Sequence, residues 1–229
     1  MIVGRAPLEH RARRRSVSRL VHRKNRQIEA HGIIFHLAVW ERLAGRTFPD
    51  AALGIDPSPR MIEHARDAER RWPSGAVFSV DDGCTLATVA TGSVDWVTAG
   101  LSLNNVPDLD AALTAVRRVL TSGGGSLVFT IPHPCFEAPR ATWTETEDGA
   151  VHRVVGDYLT EGFWRSANPE GARRAGNQHR TLSTYLTALV GHGFRVEAVH
   201  EPAPDAKVAT AQPQRAGLPP FMVLHARQA

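Results

Sequence analysis

The segment that most constrains the fold runs from residue 51 to residue 71, where an apolar strand pattern ends at Asp56 and a helix pattern follows. Ser58 is placed to cap that helix, and Pro59 suits its first turn because the fixed φ of proline already matches a helix. A strand that leads directly into a helix is half of a β–α–β unit, whose two strands are parallel. The chain is therefore expected to build its sheet mainly from parallel strands.

The alternation of strands and helices continues to the end of the chain, which predicts an α/β fold with a Rossmann-like, mostly parallel sheet and helices on both faces. The predicted strands cover residues 51–55, 76–80, 94–99, 126–131, 194–200 and 221–226, and the predicted helices cover 59–71, 109–120 and 181–191. Residues 132–178 show little periodicity. A connection of that length inside a domain is typical of a functional insertion, and we refer to it as the lid.

Composition narrows the class of protein. With 229 residues and 42% apolar residues, the chain can bury one core of ordinary size. No apolar run reaches the roughly 18 residues of a membrane helix, and no signal peptide is visible, so a cytoplasmic protein without membrane contact is expected. Cys84 and Cys135 are too far apart for a paired motif, so neither a disulfide framework nor a metal site is predicted.

The first residues form a basic segment with few apolar side chains to bury. The net charge is +4, and most of the excess of arginine over acidic residues lies between residues 5 and 26. Glu9 is the single acidic residue of this segment. We expect residues 1–27 to be a disordered basic arm and residues 28–229 to form the domain. The arm is interpreted first as a solvated tail, and the alternatives are contact with nucleic acid or a targeting role.

Two acidic positions follow predicted strands, and the first of them is placed to bind the ribose of an adenosine cofactor. Asp56 ends the strand at residue 51–55, where a carboxylate can accept from both hydroxyls of a ribose. A nicotinamide cofactor would suit it equally, and Asp56 could instead cap the next helix. Asp81 and Asp82 precede Gly83 after the following strand, and the simpler interpretation of this Asp-Gly pair is a solvated turn.

The order of these motifs resembles the class I S-adenosylmethionine-dependent methyltransferases. The resemblance rests on residues 54–66, then 80–84, then 92–108, and then the Gly-rich turn and strand at 120–130. It implies a seven-stranded sheet whose last strand is antiparallel, with residues 194–200 and 221–226 as the sixth and seventh strands. Ordinary dinucleotide-binding folds lack that closing pair, so the methyltransferase interpretation is favoured over a dehydrogenase.

The resemblance also implies the cofactor S-adenosyl-L-methionine and the residues that bind it. Asp56 would hold the ribose, Asp82, or alternatively Asp81, would meet the adenine amino group, and the tip of the fourth strand would leave room for the aminoacyl end. The cofactor-binding set implied is Asp56, Pro57, Met61, Asp82, Gly83, Ala99, Gly100 and Leu101.

One expected motif is absent from the sequence. About 20 residues before Asp56 the family carries a Gly-x-Gly-x-Gly loop, in which glycines let the backbone approach the cofactor. Residues 32–40 read Gly-Ile-Ile-Phe-His-Leu-Ala-Val-Trp instead, and Gly45 is the next glycine. The motif is therefore either missing, which would weaken cofactor binding, or misread through a wrong start or a shifted reading frame.

For catalysis, the sequence offers two histidines beside the lid. The sulfonium methyl group is already activated, so a protein must mainly align the acceptor, exclude water and remove a proton. His133 follows the fifth strand and His179 precedes the last helix, and each is a candidate base or else a histidine without a chemical role.

The predicted function is methyl transfer to a small organic acceptor, in a pocket walled by the lid aromatics Phe136, Trp143, Tyr158, Phe163 and Trp164. The alternatives are a non-catalytic methyltransferase-like binding module and a nucleic-acid methyltransferase that uses the basic arm. Nucleic acid is the less expected partner, and the sequence does not indicate an oligomeric state.

Overall fold

The computed structural model describes residues 1–5, 51–165 and 176–229. Along the chain, the helices and strands are β1 (Ile2–Arg5), β2 (Ala51–Asp56), α1 (Pro59–Arg71), β3 (Val77–Val80), β4 (Trp96–Gly100), α2 (Leu109–Val119), β5 (Ser126–Pro132), β6 (Thr142–Glu145), β7 (Val151–Val154), β8 (Gly162–Trp164), β9 (Asn177–His179), α3 (Leu182–Gly191), β10 (Phe194–His200), α4 (Ala206–Ala211), a 3-10 turn (Pro213–Arg215) and β11 (Phe221–Gln228).

Seven of these strands form one sheet in the order β10-β11-β5-β4-β1-β2-β3. The pairs β2–β3 and β4–β5 are parallel, whereas β11 runs antiparallel to both β5 and β10. Because the crossovers from β2 to β3 and from β4 to β5 run in opposite directions along the sheet, right-handed connections place α1 and α2 on opposite faces. The predicted α/β sheet with an antiparallel last strand and helices on both faces is confirmed.

The helices begin where the sequence predicts. Ser58 caps α1, since its hydroxyl accepts from the backbone N–H of Met61 at 3.4 Å, and Ile62 is among the side chains that α1 buries. Asp108 caps α2 in the same way, accepting from Ala111 at 2.9 Å. These caps satisfy N–H groups that have no partner inside the helix, and they fix the loops that join the strand ends to the helices.

The centre of the sheet differs from the prediction. Between β2 and β4 lies β1, antiparallel to both, with Val3 opposite Leu53 on one side and Val97 on the other. The side chain of Val3 is only 1% exposed and belongs to the core. The expectation of a disordered arm therefore fails for residues 2–5, because their backbone completes the sheet. The remaining arm and the segment 32–40 lie outside the described residues.

Within the described residues, the lid contains two small antiparallel pairs, β6–β7 and β8–β9. It is joined to the C-terminal part of the chain through the buried carboxylate of Glu137, which accepts from Arg153 at 3.4 Å and from Arg215 at 2.6 Å. Both guanidinium groups also lie over the ring of Trp143, at 4.9 and 5.9 Å from its centre. The lid is thus folded, and ion pairs attach it to the C-terminal part of the chain.

Candidate active site

Asp56 lies at the carboxyl end of β2, with one oxygen engaged and the other available. Its Oδ1 accepts from the backbone N–H of Ser58 at 2.8 Å, which closes the turn before α1. Ser58, and not Asp56, is the helix cap, so the capping alternative does not account for this carboxylate. The other oxygen, Oδ2, accepts no hydrogen bond from the described residues, and it lies at the sheet edge where open α/β folds bind ligands.

The two neighbouring acids after β3 have different environments. Asp81 accepts from the backbone of Thr88 at 2.7 Å, from the Thr88 hydroxyl at 2.6 Å and from Ala87 at 3.1 Å. Although partial burial raises it, these bonds hold the pKa of Asp81 below its usual value. Asp82 Oδ1 accepts from the N–H of Cys84 at 2.9 Å, and the Cys84 thiol also interacts with this carboxylate. Asp81 is thus the acid that organises the turn, and Asp82 is the more exposed of the two.

These acids are held side by side. The carbonyl oxygen of Asp56 accepts from the N–H of Asp81 at 3.3 Å, one position beyond the last parallel pair, Asp56 with Val80. Pro57 and Met61 are exposed next to Asp56, on the turn and the first turn of α1. The structure thus brings Asp56, Pro57, Met61 and Asp82 of the predicted cofactor-binding set together at one edge of the sheet.

The tip of β4 carries a strained residue. Leu101 has a φ of +49°, in the left-handed region that a leucine rarely adopts, directly after the buried Ala99 and the half-buried Gly100. Its N–H donates to Thr130 at 2.8 Å, and its carbonyl oxygen accepts from the Asn105 side chain at 2.8 Å. Backbone strain of about 1–3 kcal/mol persists where neighbours enforce it, and ligand sites are common places for it.

Met1 lies at the same edge, beside the end of β2 that carries Asp56. Its backbone exchanges two hydrogen bonds with Ile55, at 2.8 and 2.7 Å, and its side chain packs against the core. A methyl group placed on Gly83 would approach Met1 Cε to 3.9 Å. Because β1 is antiparallel, it brings its first residue to the carboxyl edge, where a parallel first strand would bring a loop.

A cavity that is open to solvent lies between the β4 and β5 tips and the lid strand β9. Its lining includes Asn104, Pro132, Glu137, Gln178, His179 and Arg180. This wall is mostly polar, contrary to the expectation of an aromatic pocket. Of the predicted aromatics, Trp143 stacks with arginines and Phe163 is 57% exposed, while Tyr185 of α3 lines the cavity instead.

His179 faces this cavity with one ring nitrogen engaged. Its Nε2 lies 2.8 Å from the carbonyl oxygen of Tyr158, and because a carbonyl only accepts, Nε2 must carry the hydrogen. The neutral ring therefore has its lone pair on Nδ1, which has no hydrogen-bond partner among the described residues. Glu161 lies close enough to interact electrostatically with the ring. This arrangement suits a base.

His133 is fully engaged. It is 2% exposed, its Nε2 lies 2.7 Å from Glu201 Oε1, and its Nδ1 accepts from the N–H of Cys135 at 3.2 Å. The cavity is lined by its neighbours Pro132 and Pro134. Of the two predicted bases, the geometry favours His179, and His133 connects the β5 tip to the chain after β10.

Arg180 and Asn104 are among the residues of the cavity wall that the sequence did not indicate. Arg180 is buried and donates to the carbonyl oxygens of Leu103, Val106 and Pro107 at 3.1, 2.7 and 3.0 Å. Asn104 is 6% exposed, and its Oδ1 has no hydrogen-bond partner among the described residues. The Asn-Asn pair at 104–105 was visible in the sequence, but its pattern carries no signal for this role.

Comparison with known proteins gives the family. A family model described as a methyltransferase domain matches residues 37–128. The structure of an S-adenosylmethionine-dependent methyltransferase from Mesorhizobium loti matches with 30% identity and a TM-score of 0.65, over 77% of this chain and 80% of that one. A putative S-adenosylmethionine-dependent methyltransferase from Listeria monocytogenes has 28% identity and a TM-score of 0.63, over 77% and 79%.

A third structure, the glycopeptide N-methyltransferase MtfA with S-adenosylmethionine bound, has 15% identity and a TM-score of 0.51 over 77% of each chain, which shows the shared fold alone. No curated protein sequence matches. On the Mesorhizobium match, the chain belongs to the S-adenosylmethionine-dependent methyltransferases. It is an enzyme of that class, and its cofactor is S-adenosyl-L-methionine.

Two further findings concern the described residues. None of their helices has the length and apolar character needed to cross a bilayer. Nowhere in this part of the chain do three or more histidine, cysteine or acidic side chains gather as metal ligands would.

Proposed function

We propose that this methyltransferase acts on a small organic molecule that enters the cavity beneath the lid, with His179 as the general base. The observation that carries the proposal is the engaged Nε2 of His179 at the cavity wall, with an Nδ1 that has no partner in the part of the chain that the structure describes. The cavity lies between the strand tips and the lid, a position that suits the reacting end of a small molecule. The nucleic-acid alternative depends on the arm beyond residue 5, outside the described residues.

The residues fit the adenosine half of the cofactor. Among the described residues, Asp56 Oδ2 accepts no hydrogen bond and would hold the ribose hydroxyls, and the exposed carboxylate of Asp82 would accept from an adenine amino group. Ala99, Gly100 and Leu101 form the strand tip expected near the aminoacyl end. S-Adenosylmethionine supplies an electrophilic methyl group, so the protein needs to align the acceptor, exclude water and receive a proton.

We further propose that the antiparallel β1 weakens cofactor binding. In the described residues, the edge beside Asp56 presents Met1 in place of a glycine loop. If loss of the loop contacts removes about 3 kcal/mol from a micromolar complex of about −8 kcal/mol, the dissociation constant rises to the order of 100 μM or above.

The test is methyl transfer from methyl-labelled S-adenosylmethionine to a panel of small amines and alcohols, at millimolar cofactor to offset weak binding. Turnover by the full chain that falls at least 100-fold in His179→Gln, and less than tenfold in the matched control His133→Gln, supports the proposal. Equal losses in both variants would contradict the role of His179. Absence of turnover, together with no binding of S-adenosylhomocysteine, would favour the non-catalytic module.

A further inference from the structure

Two neighbouring side-chain amides form a directed chain that ends at the cavity. Asn105 Nδ2 donates to the carbonyl oxygen of Leu101 at 2.8 Å, so the Asn105 oxygen must point the other way. That oxygen accepts from Asn104 Nδ2 at 3.2 Å. The orientation of both amides is therefore fixed by a carbonyl group, which can only accept. At the end of this chain, Asn104 presents its Oδ1, an acceptor.

The backbone around Asn104 is held on both sides. Its carbonyl oxygen accepts from the N–H of Gln178 at 2.7 Å, and the preceding carbonyl, of Leu103, accepts from Arg180 at 3.1 Å. These bonds place Asn104 directly beside the strand that carries His179. A buried acceptor that is held in place without a partner is costly, by about 1–3 kcal/mol, and such groups are found where a ligand supplies the partner.

The other charged groups of the cavity wall already have partners. Both oxygens of Glu137 accept from arginines, and Arg180 donates to three carbonyl oxygens. The side-chain amide of Gln178 can both donate and accept a hydrogen bond, so it does not select between donor and acceptor ligands. Among the described residues of this wall, Asn104 Oδ1 and His179 Nδ1 are two acceptors without a hydrogen-bond partner. A ligand that satisfies both must bring two hydrogens.

We propose, resting on the function proposed above, that the methyl acceptor is a primary or secondary amine, selected by Asn104. One N–H of the ammonium form donates to Asn104 Oδ1, and a second gives its proton to His179 Nδ1, which frees the nitrogen lone pair. The nitrogen then bonds to the methyl carbon while the carbon–sulfur bond breaks and its electron pair passes to sulfur. A hydroxyl group has one hydrogen and cannot serve both acceptors.

The test uses binding to the full chain without cofactor, measured by calorimetry or ligand-observed NMR with three matched probes. Benzylamine has the required hydrogens, benzyl alcohol has one, and N,N-dimethylbenzylamine has one in its charged form. We expect benzylamine to bind about tenfold more tightly than either of the others, the effect of one added hydrogen bond. Comparison with the charged dimethylated probe separates this effect from simple attraction to a cation.

Variants of Asn104 decide the assignment. Asn104→Leu is expected to reduce the tenfold preference to less than twofold, whereas Asn104→Asp, which keeps an acceptor oxygen, retains it. Gln178→Leu, a polar-to-apolar change in the same wall, is the control and keeps the preference. Equal binding of benzylamine and benzyl alcohol to the full chain overturns the inference. The proposed function would then still stand if turnover of any small acceptor depends on His179.

Discussion

The Nε2 atom of His179 lies 2.8 Å from the carbonyl oxygen of Tyr158, and this contact fixes which ring nitrogen carries the hydrogen. A base held in one tautomer removes a proton without first reorganising. We predict that His179→Ala lowers kcat by about 10²-fold or more while KM changes by less than threefold. A change confined to KM, with kcat unaltered, would mean that His179 only positions the acceptor.

His133 provides the matched comparison. Because both of its ring nitrogens are engaged, by Glu201 and by the N–H of Cys135, it has no lone pair to offer. We expect His133→Ala to lower the melting temperature, since it removes a buried contact, and to leave kcat within about tenfold of the full chain. A loss of kcat as large as that of His179→Ala, in a variant that melts normally, would show that the assignment of the base is wrong.

The same substitution should affect stability at Asp81 and cofactor binding at Asp82. Asp81→Asn removes a carboxylate that organises the turn through Thr88 and Ala87, so we predict lower thermal stability. Asp82→Asn should leave the melting temperature within about 2 °C, since Asp82 accepts one turn bond, and weaken binding of S-adenosylhomocysteine about tenfold. Melting curves and calorimetry on the two variants check this pair, and reversed effects would exchange the two roles.

The contribution of Asp81 to the stability of the fold should also depend on pH. Hydrogen bonds from Thr88 outweigh partial burial, which acts in the raising direction, so the pKa of Asp81 is lower in the folded state than in the unfolded chain. Its stabilisation is therefore fully present above the unfolded pKa of about 3.9, and it is lost as pH falls through the lower folded value. The difference in melting temperature between the full chain and Asp81→Asn should be constant from pH 5 to 8 and shrink below pH 4. A difference that grows on acidification would contradict the sign.

The position of β1 in the centre of the sheet predicts that its buried side chain stabilises the fold, which is the opposite of what the sequence alone suggests. The sequence predicts a disordered arm over residues 1–27, but Val3 is 1% exposed between β2 and β4. Val3→Asp buries an unpaired charge, and we expect it to lower the free energy of unfolding by about 3 kcal/mol or more. Val77→Asp is the matched control, because Val77 is 64% exposed on the edge strand β3. If denaturant unfolding shows equally small losses of stability for both variants, β1 does not belong to the sheet.

Much of the fold was predictable because local signals and the global pattern agree. The bounds predicted for β2 and α1 lie within one residue of those observed, since alternation, Ser58 and Pro59 all point to the same boundaries. β1 was not predictable. A four-residue strand in an arginine-rich segment carries almost no pattern, and its partners β2 and β4 lie far along the chain. The lid strands and α4 are similarly short.

The residues of the candidate site also fall into those that the sequence indicates and those that only the structure reveals. A position at a strand end identified Asp56 and the pair of Asp81 and Asp82, because parallel strands present their carboxyl ends at one edge. Choosing between the two acids requires knowing which hydrogen bonds each already accepts, and that depends on side-chain geometry. The same is true of His133 and His179. Asn104 was beyond prediction because its significance lies in an unpartnered oxygen.

The most direct test of the account is the affinity of the full chain and of Asp56→Ala for S-adenosylhomocysteine, measured by calorimetry. A free carboxylate oxygen on Asp56, with Met1 where a glycine loop would pass, predicts a dissociation constant on the order of 100 μM or weaker. Asp56→Ala should weaken binding roughly tenfold further, about 1.4 kcal/mol. Low-micromolar binding by the full chain would contradict the weakening by β1, and an affinity unchanged in Asp56→Ala would contradict the placement of the cofactor at this edge.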